Sequence, residues 1–281
     1  MSPVKKLNNK PDQYAVMGNP IAHSKSPTIH TLFAKQTSQE LEYKSILVDL
    51  EGFADAVKSF IDNNGKGLNI TVPFKQQAWE LADNLSERAK RAQAVNTIIV
   101  NPDNTLTGDN TDGLGIIRDI CINHSVDIKN LKVLVIGAGG AVRGILEPLI
   151  NCAPSRITIV NRTIERAIEL AESFVDLYPV TVSGFEQLEA QENQYDLIIN
   201  GTSASLSGEL PPLPDNILKP GGCCYDMMYS NEPTVFVEWA KQHGAAVALD
   251  GLGMLVEQAA ESFQLWRGVR PDTADVISTL R

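Results

Sequence analysis

The sequence predicts an α/β protein whose second half is a Rossmann-type, doubly wound parallel sheet. Three observations carry that expectation. In the first half, short apolar runs alternate with helix-like segments. In the second, β-branched strands are separated by helices, the mark of a parallel sheet covered on both faces. A glycine-rich stretch, GAGGA at 137–141, marks the point where one of those strands hands over to a helix.

The elements follow in order. YAVMG (14–18), SILVDL (45–50), GLNITV (67–72) and NTIIV (96–100) read as strands, with helical patterns in SPTIHTLFAKQ (26–36) and GFADAVKSFI (52–61) between them. LKVLVIG (131–137) leads into a helix after Gly140, then come the strand RITIVN (156–161) and the helix TIERAIELAESF (163–174). YDLIIN (195–200), GGCCYDM (221–227) and AAVALD (245–250) complete the strands. A long amphipathic helix, GMLVEQAAESFQLWRGV (253–269), lies past the last of them and needs a surface to pack against.

The bulk numbers exclude several classes. A chain of 281 residues, 43% hydrophobic and 21% charged, suits a folded protein of one large or two ordinary domains. A net charge of -10, with no basic stripe, excludes a nucleic-acid footprint, which needs clustered Lys and Arg against phosphates. No segment has the roughly 20 apolar residues that span a bilayer, and the N-terminal stretch is polar, so a cytoplasmic location without membrane partners is expected. Cys121, Cys152, Cys223 and Cys224 show no CxxC spacing and no His cluster, so reduced structural thiols and no metal are expected.

The glycine turn points to a dinucleotide. Gly137, Gly139 and Gly140 allow a tight turn and close approach of a pyrophosphate to a helix N-terminus, although the sixth position of the fingerprint is Val142. About 20 residues further on, an NAD site carries an acidic residue for the ribose 2′-hydroxyl. This chain has Asn161, Arg162 and Thr163 there, with Arg166 beyond. Guanidinium groups bind phosphate bidentately, so the expected cofactor is NADP(H).

An enzyme that reduces a carbonyl with a nicotinamide also needs a proton donor at the oxygen. A serine hydrolase is excluded by the lack of GxSxG and of any triad context for His23, His30, His124 and His243. Lys75, in NITVPFK (69–75), stands where an apolar strand hands over to a helix, facing the unfavourable positive end of the macrodipole. GDNTDG (108–113) offers Asp109 and Asp112 as partners. Taken alone, these residues fit two readings equally: a proton donor with its carboxylate, or a solvated cation and a polar turn.

Taken together, GNPIAHSKSP (18–27), NITVPFK, AVNT (94–97), GDNTDG, IGAGGA (136–141), NRT (161–163) and DGLGMLVEQAA (250–260) resemble the shikimate dehydrogenase family, in order and over nearly the whole chain from Tyr14. The resemblance implies reversible, NADPH-dependent reduction of 3-dehydroshikimate to shikimate, in the route to aromatic amino acids. It implies two domains: an N-terminal α/β substrate domain made of residues 1–111 plus 251–281, and an NADP-binding Rossmann domain over 112–250. Lys75 and Asp112 match the catalytic pair. Ser24, Ser26 and Tyr229 match the donors to the substrate carboxylate, and Thr71, Asn96, Asp112 and Gln258 match further substrate contacts. Gly137, Ala138, Gly139, Gly140, Ala141, Asn161, Arg162, Thr163, Arg166, Met227 and Gly251 match the NADP site. A monomer or homodimer is expected. The NAD-dependent quinate/shikimate dehydrogenases are the neighbouring alternative, and a non-catalytic dinucleotide-binding regulatory relative is the alternative from another class.

Overall fold

The computed structural model describes residues 11–190 and 194–281; the first ten residues of the polar N-terminal stretch lie outside it. The chain opens β1 (Asp12–Gly18), α1 (Ser26–Thr37), β2 (Leu41–Leu47), α2 (Phe53–Asp62), β3 (Gly65–Ile70), α3 (Lys75–Leu81), β4 (Asn84–Leu85), α4 (Glu87–Ala92), β5 (Thr97–Val100) and β6 (Leu106–Asp109). A connecting helix α5 (Asp112–Arg118) runs into a π-helical turn at Asp119–Asn123. The second half continues β7 (Lys132–Ile136), α6 (Gly140–Asn151), β8 (Arg156–Val160), α7 (Ile164–Glu172), β9 (Thr181–Ser183), α8 (Phe185–Ala190), β10 (Tyr195–Asn200), β11 (Leu218–Asp226), α9 (Val235–Gln242) and β12 (Val247–Leu249). Helices α10 (Leu252–Arg267) and α11 (Ala274–Leu280) close the chain.

Two six-stranded sheets result. The second has the order β12-β11-β10-β7-β8-β9 with every pairing parallel, which is the doubly wound 3-2-1-4-5-6 arrangement read from β7. Its strands are apolar on both faces, as a covered parallel sheet demands. Val133 and Val135 point into one core with Ile145 and Leu170, while Leu134 and Ile136 point into the other with Ile198 and Phe236. The first sheet is mixed, ordered β2-β1-β3-β5-β6-β4, with β5 antiparallel to both β3 and β6.

Element ends shift by a few residues throughout, and two differences from the expected structure have a clear physical cause. The strand expected at 45–50 lies at Leu41–Leu47, a sheet edge paired only to β1. Edge position lets LEYKSIL expose Glu42, Lys44 and Ser45 and hides its strand character, while the more apolar-looking SILVDL runs past its end. The polar GDNTDG is no solvated turn: β6 ends at Asp109, and Asn110, Thr111 and Asp112 are buried where α5 begins.

Helix α10 returns to the first sheet. Its Val256, Ala259, Ala260 and Phe263 form a core with Ile29 and Phe33 of α1, while its other side packs on α5, where Gly115 lies against Met254 and Gln258. Burial on two sides explains its run of small residues.

Beside that core, His30 stacks on Tyr43 at 4.1 Å between ring centroids, and its Nε2 bonds Asn69 Oδ1 at 3.1 Å. Its Nδ1 has no partner, so the ring is the neutral tautomer with the proton on Nε2. Burial pushes its pKa down to about 3. The unfolded chain, with an ordinary histidine near 6.5, takes up this proton first, so His30 contributes stability fully above pH 6.5 and loses it as pH falls toward 3. Across that window the loss is about 1.4 kcal/mol per pH unit. Urea unfolding of wild type and His30→Gln between pH 7 and 4 checks this: the variant should show the shallower acid slope.

Candidate active site

The site grows from ends of elements. At the C-terminal end of β3 the chain leaves the sheet, although the Thr71 N–H still bonds Met17 O at 3.0 Å. Three residues later Phe74, fully buried and stacked on Phe53 at 5.0 Å, caps α3. Lys75 is therefore fixed at the first helical position by the burial of its neighbour. Its Nζ donates to Asp112 Oδ2 at 2.6 Å, with side-chain exposures of 24% and 9%. Asp112 is the first residue of α5, where a carboxylate suits the helix dipole, and its own N–H bonds Asn110 Oδ1 at 3.1 Å.

Asn96, at the start of β5, holds the other carboxylate oxygen. Its Nδ2 donates to Asp112 Oδ1 at 2.8 Å and lies 3.2 Å from Gln258 Oε1, while its Oδ1 accepts the Thr111 N–H at 2.9 Å. Asp109, the other aspartate of GDNTDG, has a different role. It takes a bidentate guanidinium from Arg88 at 2.7 and 2.8 Å and pins α4 to the sheet.

Lys75, Asp112 and Asn96 line a cleft of about 370 Å³. Ser24, Ser26, Thr71, Tyr229 and Gln258 line the same cleft, as do Ala141, Met227 and Gly251 from the cofactor set. Tyr229 is half-buried and burial pushes its phenol up, so its hydroxyl remains a donor through neutral pH. The segment that carries it is anchored by buried Asp226, which accepts from Thr234 Oγ1 at 2.7 Å and from the Met228 N–H at 3.1 Å. The Gly251 N–H bonds Met228 O at 3.0 Å, joining the end of β11 to the start of α10 over the cleft.

Gly137, Ala138, Gly139 and Gly140 form the turn from β7 to α6, and Asn161, Arg162, Thr163 and Arg166 form the adjacent one from β8 to α7. Gly137 needs to be glycine for the chain itself, with φ of 108°. Gly139 and Gly140 do not: a Cβ at either would meet nothing within 4 Å. Their openness leaves the start of α6, which has no side-chain cap, free to receive a phosphate group. Val142, where a third glycine is usual, is fully buried in the core. Arg162 and Arg166 are exposed and form no ion pair among the described residues, and Asn161 Nδ2 bonds Thr163 O at 2.8 Å. An open turn, an uncapped helix start and two unpaired guanidinium groups fit a dinucleotide with a 2′-phosphate.

Several residues that support the site have no role predicted from the sequence. Asn69, Thr97, Ser262 and Tyr43 form a buried polar network beneath Asn96. The sequence holds one clue, a carboxamide amid the apolar run GLNITV, since a buried amide requires partners. Among the described residues no group of His, Cys, Asp and Glu could hold a metal, and no helix is long and apolar enough to cross a membrane.

A fold of this order, with the last residue of a glycine-rich turn, Ala141, lining the same cleft as a lysine–aspartate pair, defines a nicotinamide-type dehydrogenase. Comparison with known proteins narrows the class. Residues 16–98 match the shikimate dehydrogenase substrate binding domain, 121–207 the shikimate / quinate 5-dehydrogenase model, and 251–281 the shikimate 5′-dehydrogenase C-terminal domain. The chain is 57% identical to the shikimate dehydrogenase (NADP(+)) of Alkalilimnicola ehrlichii over 96% of this chain and 98% of that one. It is 55% identical to that of Cellvibrio japonicus, over 96% and 97%. Among solved structures, an Ael1 enzyme from Pseudomonas putida superposes with a TM-score of 0.89 at 46% identity, covering 96% of this chain and 98% of that one. Shikimate 5-dehydrogenase from Thermus thermophilus, in complex with NADP(H) and shikimate, gives 0.85 at 30% identity over 95% and 97%. The chain belongs to the shikimate dehydrogenase family.

Because the Cβ added by Gly139→Ala meets no atom, the substitution should leave stability within about 1 kcal/mol while weakening NADPH binding on the order of tenfold. Thermal melts and a nicotinamide fluorescence titration read the two effects separately.

Proposed function

We propose that the chain catalyses the reversible NADPH-dependent reduction of 3-dehydroshikimate to shikimate, in the route to aromatic amino acids. The observation that carries this reading is the Lys75–Asp112 pair, 2.6 Å apart, in a cleft also lined by the hydroxyls of Ser24, Ser26 and Tyr229. Bound NADPH supplies the hydride for the carbonyl carbon. Gly137 to Ala141 would hold its pyrophosphate and Asn161 to Arg166 its 2′-phosphate, with Met227 and Gly251 completing the site.

The chain's own residues handle orientation and the proton. Ser24, Ser26 and Tyr229 donate to the substrate carboxylate through neutral hydroxyls, which suits a protein whose net charge of -10 gives an anion no long-range attraction. Thr71, Asn96 and Gln258 orient the ring. As charge gathers on the 3-oxygen, the Lys75 ammonium donates an N–H to it and then the proton itself. Asp112 aims that ammonium beforehand, and in the reverse direction the Lys75 amine takes the proton back.

We divide the domains at 111/112 and 250/251, with 1–111 plus 251–281 holding substrate and 112–250 holding cofactor. The shared core of α1 and α10 supports that division, while α5 contributes Ile116 to the core of the second sheet. A cytoplasmic monomer or homodimer is the proposed form. Its four cysteines are free thiols, which suits a reducing compartment.

Absorbance at the nicotinamide band with shikimate and NADP tests the activity, and quinate with NAD tests the neighbouring branch. Lys75→Ala should lose at least about a hundredfold in kcat with folding and ligand binding retained; wild-type turnover would remove Lys75 from the reaction. Arg162→Ala should lower the preference for NADP over NAD by roughly tenfold, read as the ratio of kcat/KM values.

A further inference from the structure

We propose that Thr97, which does not line the cleft, is a positioning residue for the proton transfer, acting through Asn96 on Asp112. The proposal rests on Lys75 being the proton donor. Its basis is the direction of a buried hydrogen-bond chain. Thr97 Oγ1 lies 2.8 Å from Asn96 Oδ1, 2.8 Å from Ser262 Oγ and 3.3 Å from Asn69 Nδ2. Of these three neighbours, Asn69 Nδ2 can only donate and Asn96 Oδ1 can only accept. Ser262 Oγ can do either, but an oxygen–oxygen contact of 2.8 Å to Asn96 Oδ1 needs a proton that only Thr97 can supply, so the single Thr97 proton goes to Asn96 Oδ1. That assignment leaves Ser262 Oγ, which accepts from Asn69 Nδ2 at 3.0 Å, to share its proton between Thr97 and the Gln258 carbonyl at 3.1 Å.

The upstream end is fixed too. Asn69 Oδ1 accepts from Tyr43 Oη at 2.6 Å and from neutral His30 Nε2 at 3.1 Å. Its Nδ2 must then point toward the two hydroxyls. The chain runs one way, from Tyr43 and His30 through Asn69, Ser262 and Thr97 to Asn96, and ends on Asp112 Oδ1 at 2.8 Å. Each member polarises the next in the same sense, and away from water these bonds are stronger than at a surface. Thr97 and Ser262 are both 0% exposed.

The consequence is geometric. Asn96 Oδ1 is held by the Thr97 hydroxyl at 2.8 Å and the Thr111 N–H at 2.9 Å, with the Thr111 hydroxyl 3.2 Å away, and its Nδ2, which also lies 2.9 Å from Thr111 Oγ1 and 3.2 Å from Gln258 Oε1, is thereby aimed at Asp112. Asp112 has its two oxygens divided between Asn96 and Lys75. Removing the Thr97 hydroxyl loosens the carboxamide, lets the carboxylate turn, and spoils the line from Lys75 Nζ to the substrate oxygen.

The test compares kcat, its solvent deuterium isotope effect and KM for NADPH in wild type, Thr97→Val and Thr97→Ser. The near-isosteric valine should lower kcat roughly tenfold and enlarge the isotope effect, because proton transfer becomes slower relative to other steps, with KM for NADPH unchanged. Serine, which restores the hydroxyl, should recover both. A valine variant with wild-type kcat, or a serine variant no better than valine, overturns the proposal. If circular dichroism shows the valine variant unfolded, Ser262→Ala takes its place with the same directions at smaller amplitude, and wild-type values there overturn it equally. Absence of any turnover by the wild-type chain would defeat the reading of the site, and this inference with it, whereas normal wild-type turnover with unaltered variants defeats this inference alone.

Discussion

The ammonium of Lys75 stands at the positive end of its own helix, and the carboxylate of Asp112 at 2.6 Å is what stabilises it there. Asp112 stands at the start of α5, where the same helix physics favours a negative charge. Two helix N-termini that carry opposite charges are thus brought face to face. Much of the architecture follows from that meeting. Helix α5 packs on α10 from one side and on α6 from the other, so the helix that carries the carboxylate also sets the glycine turn at the head of α6 beside the cleft.

Legibility of the fold and the site in the sequence depended on how local the cause was. The second sheet was legible because its strands are apolar on both faces and its turn is marked by glycines, each a property of a few adjacent residues. The edge strand β2 was displaced because exposure of Glu42, Lys44 and Ser45 removes the apolar signal where pairing occurs. Within GDNTDG, composition could not separate Asp109 from Asp112. One meets Arg88 and the other Lys75 only after the chain has folded; family resemblance distinguished them where physics alone left the choice open. The network from His30 to Ser262 left only the carboxamide of Asn69 as a clue, since it joins residues as far apart as Asn69 and Ser262, 193 positions along the chain.

The two sides of the site are finished to different degrees. On the substrate side Asn69, Asn96, Thr97 and Ser262 are buried with their hydrogen bonds made. On the proposed cofactor side Gly139 and Gly140 face open space, and Arg162 and Arg166 lack carboxylate partners among the described residues. The difference matches what each side must do. A proton donor has to be aimed to a fraction of an ångström before the ligand arrives. A pyrophosphate brings its own strong acceptors, and a turn already satisfied would have to break bonds to receive it.

The same reasoning explains why the support behind the Lys75–Asp112 pair is neutral. A second cation in the place of Asn96 would bind Asp112 as strongly as Lys75 does and draw the carboxylate away from it. A second carboxylate would repel Asp112, and either charge would need compensation in a region excluded from water. A carboxamide gives one N–H to Asp112 and adds no charge, so Lys75 keeps its place as the cation on that carboxylate. The cost of neutrality is orientation, because an amide can face either way. A directed row of hydroxyls and amides, anchored on a histidine that burial keeps uncharged, supplies that orientation without placing another charge beside the pair.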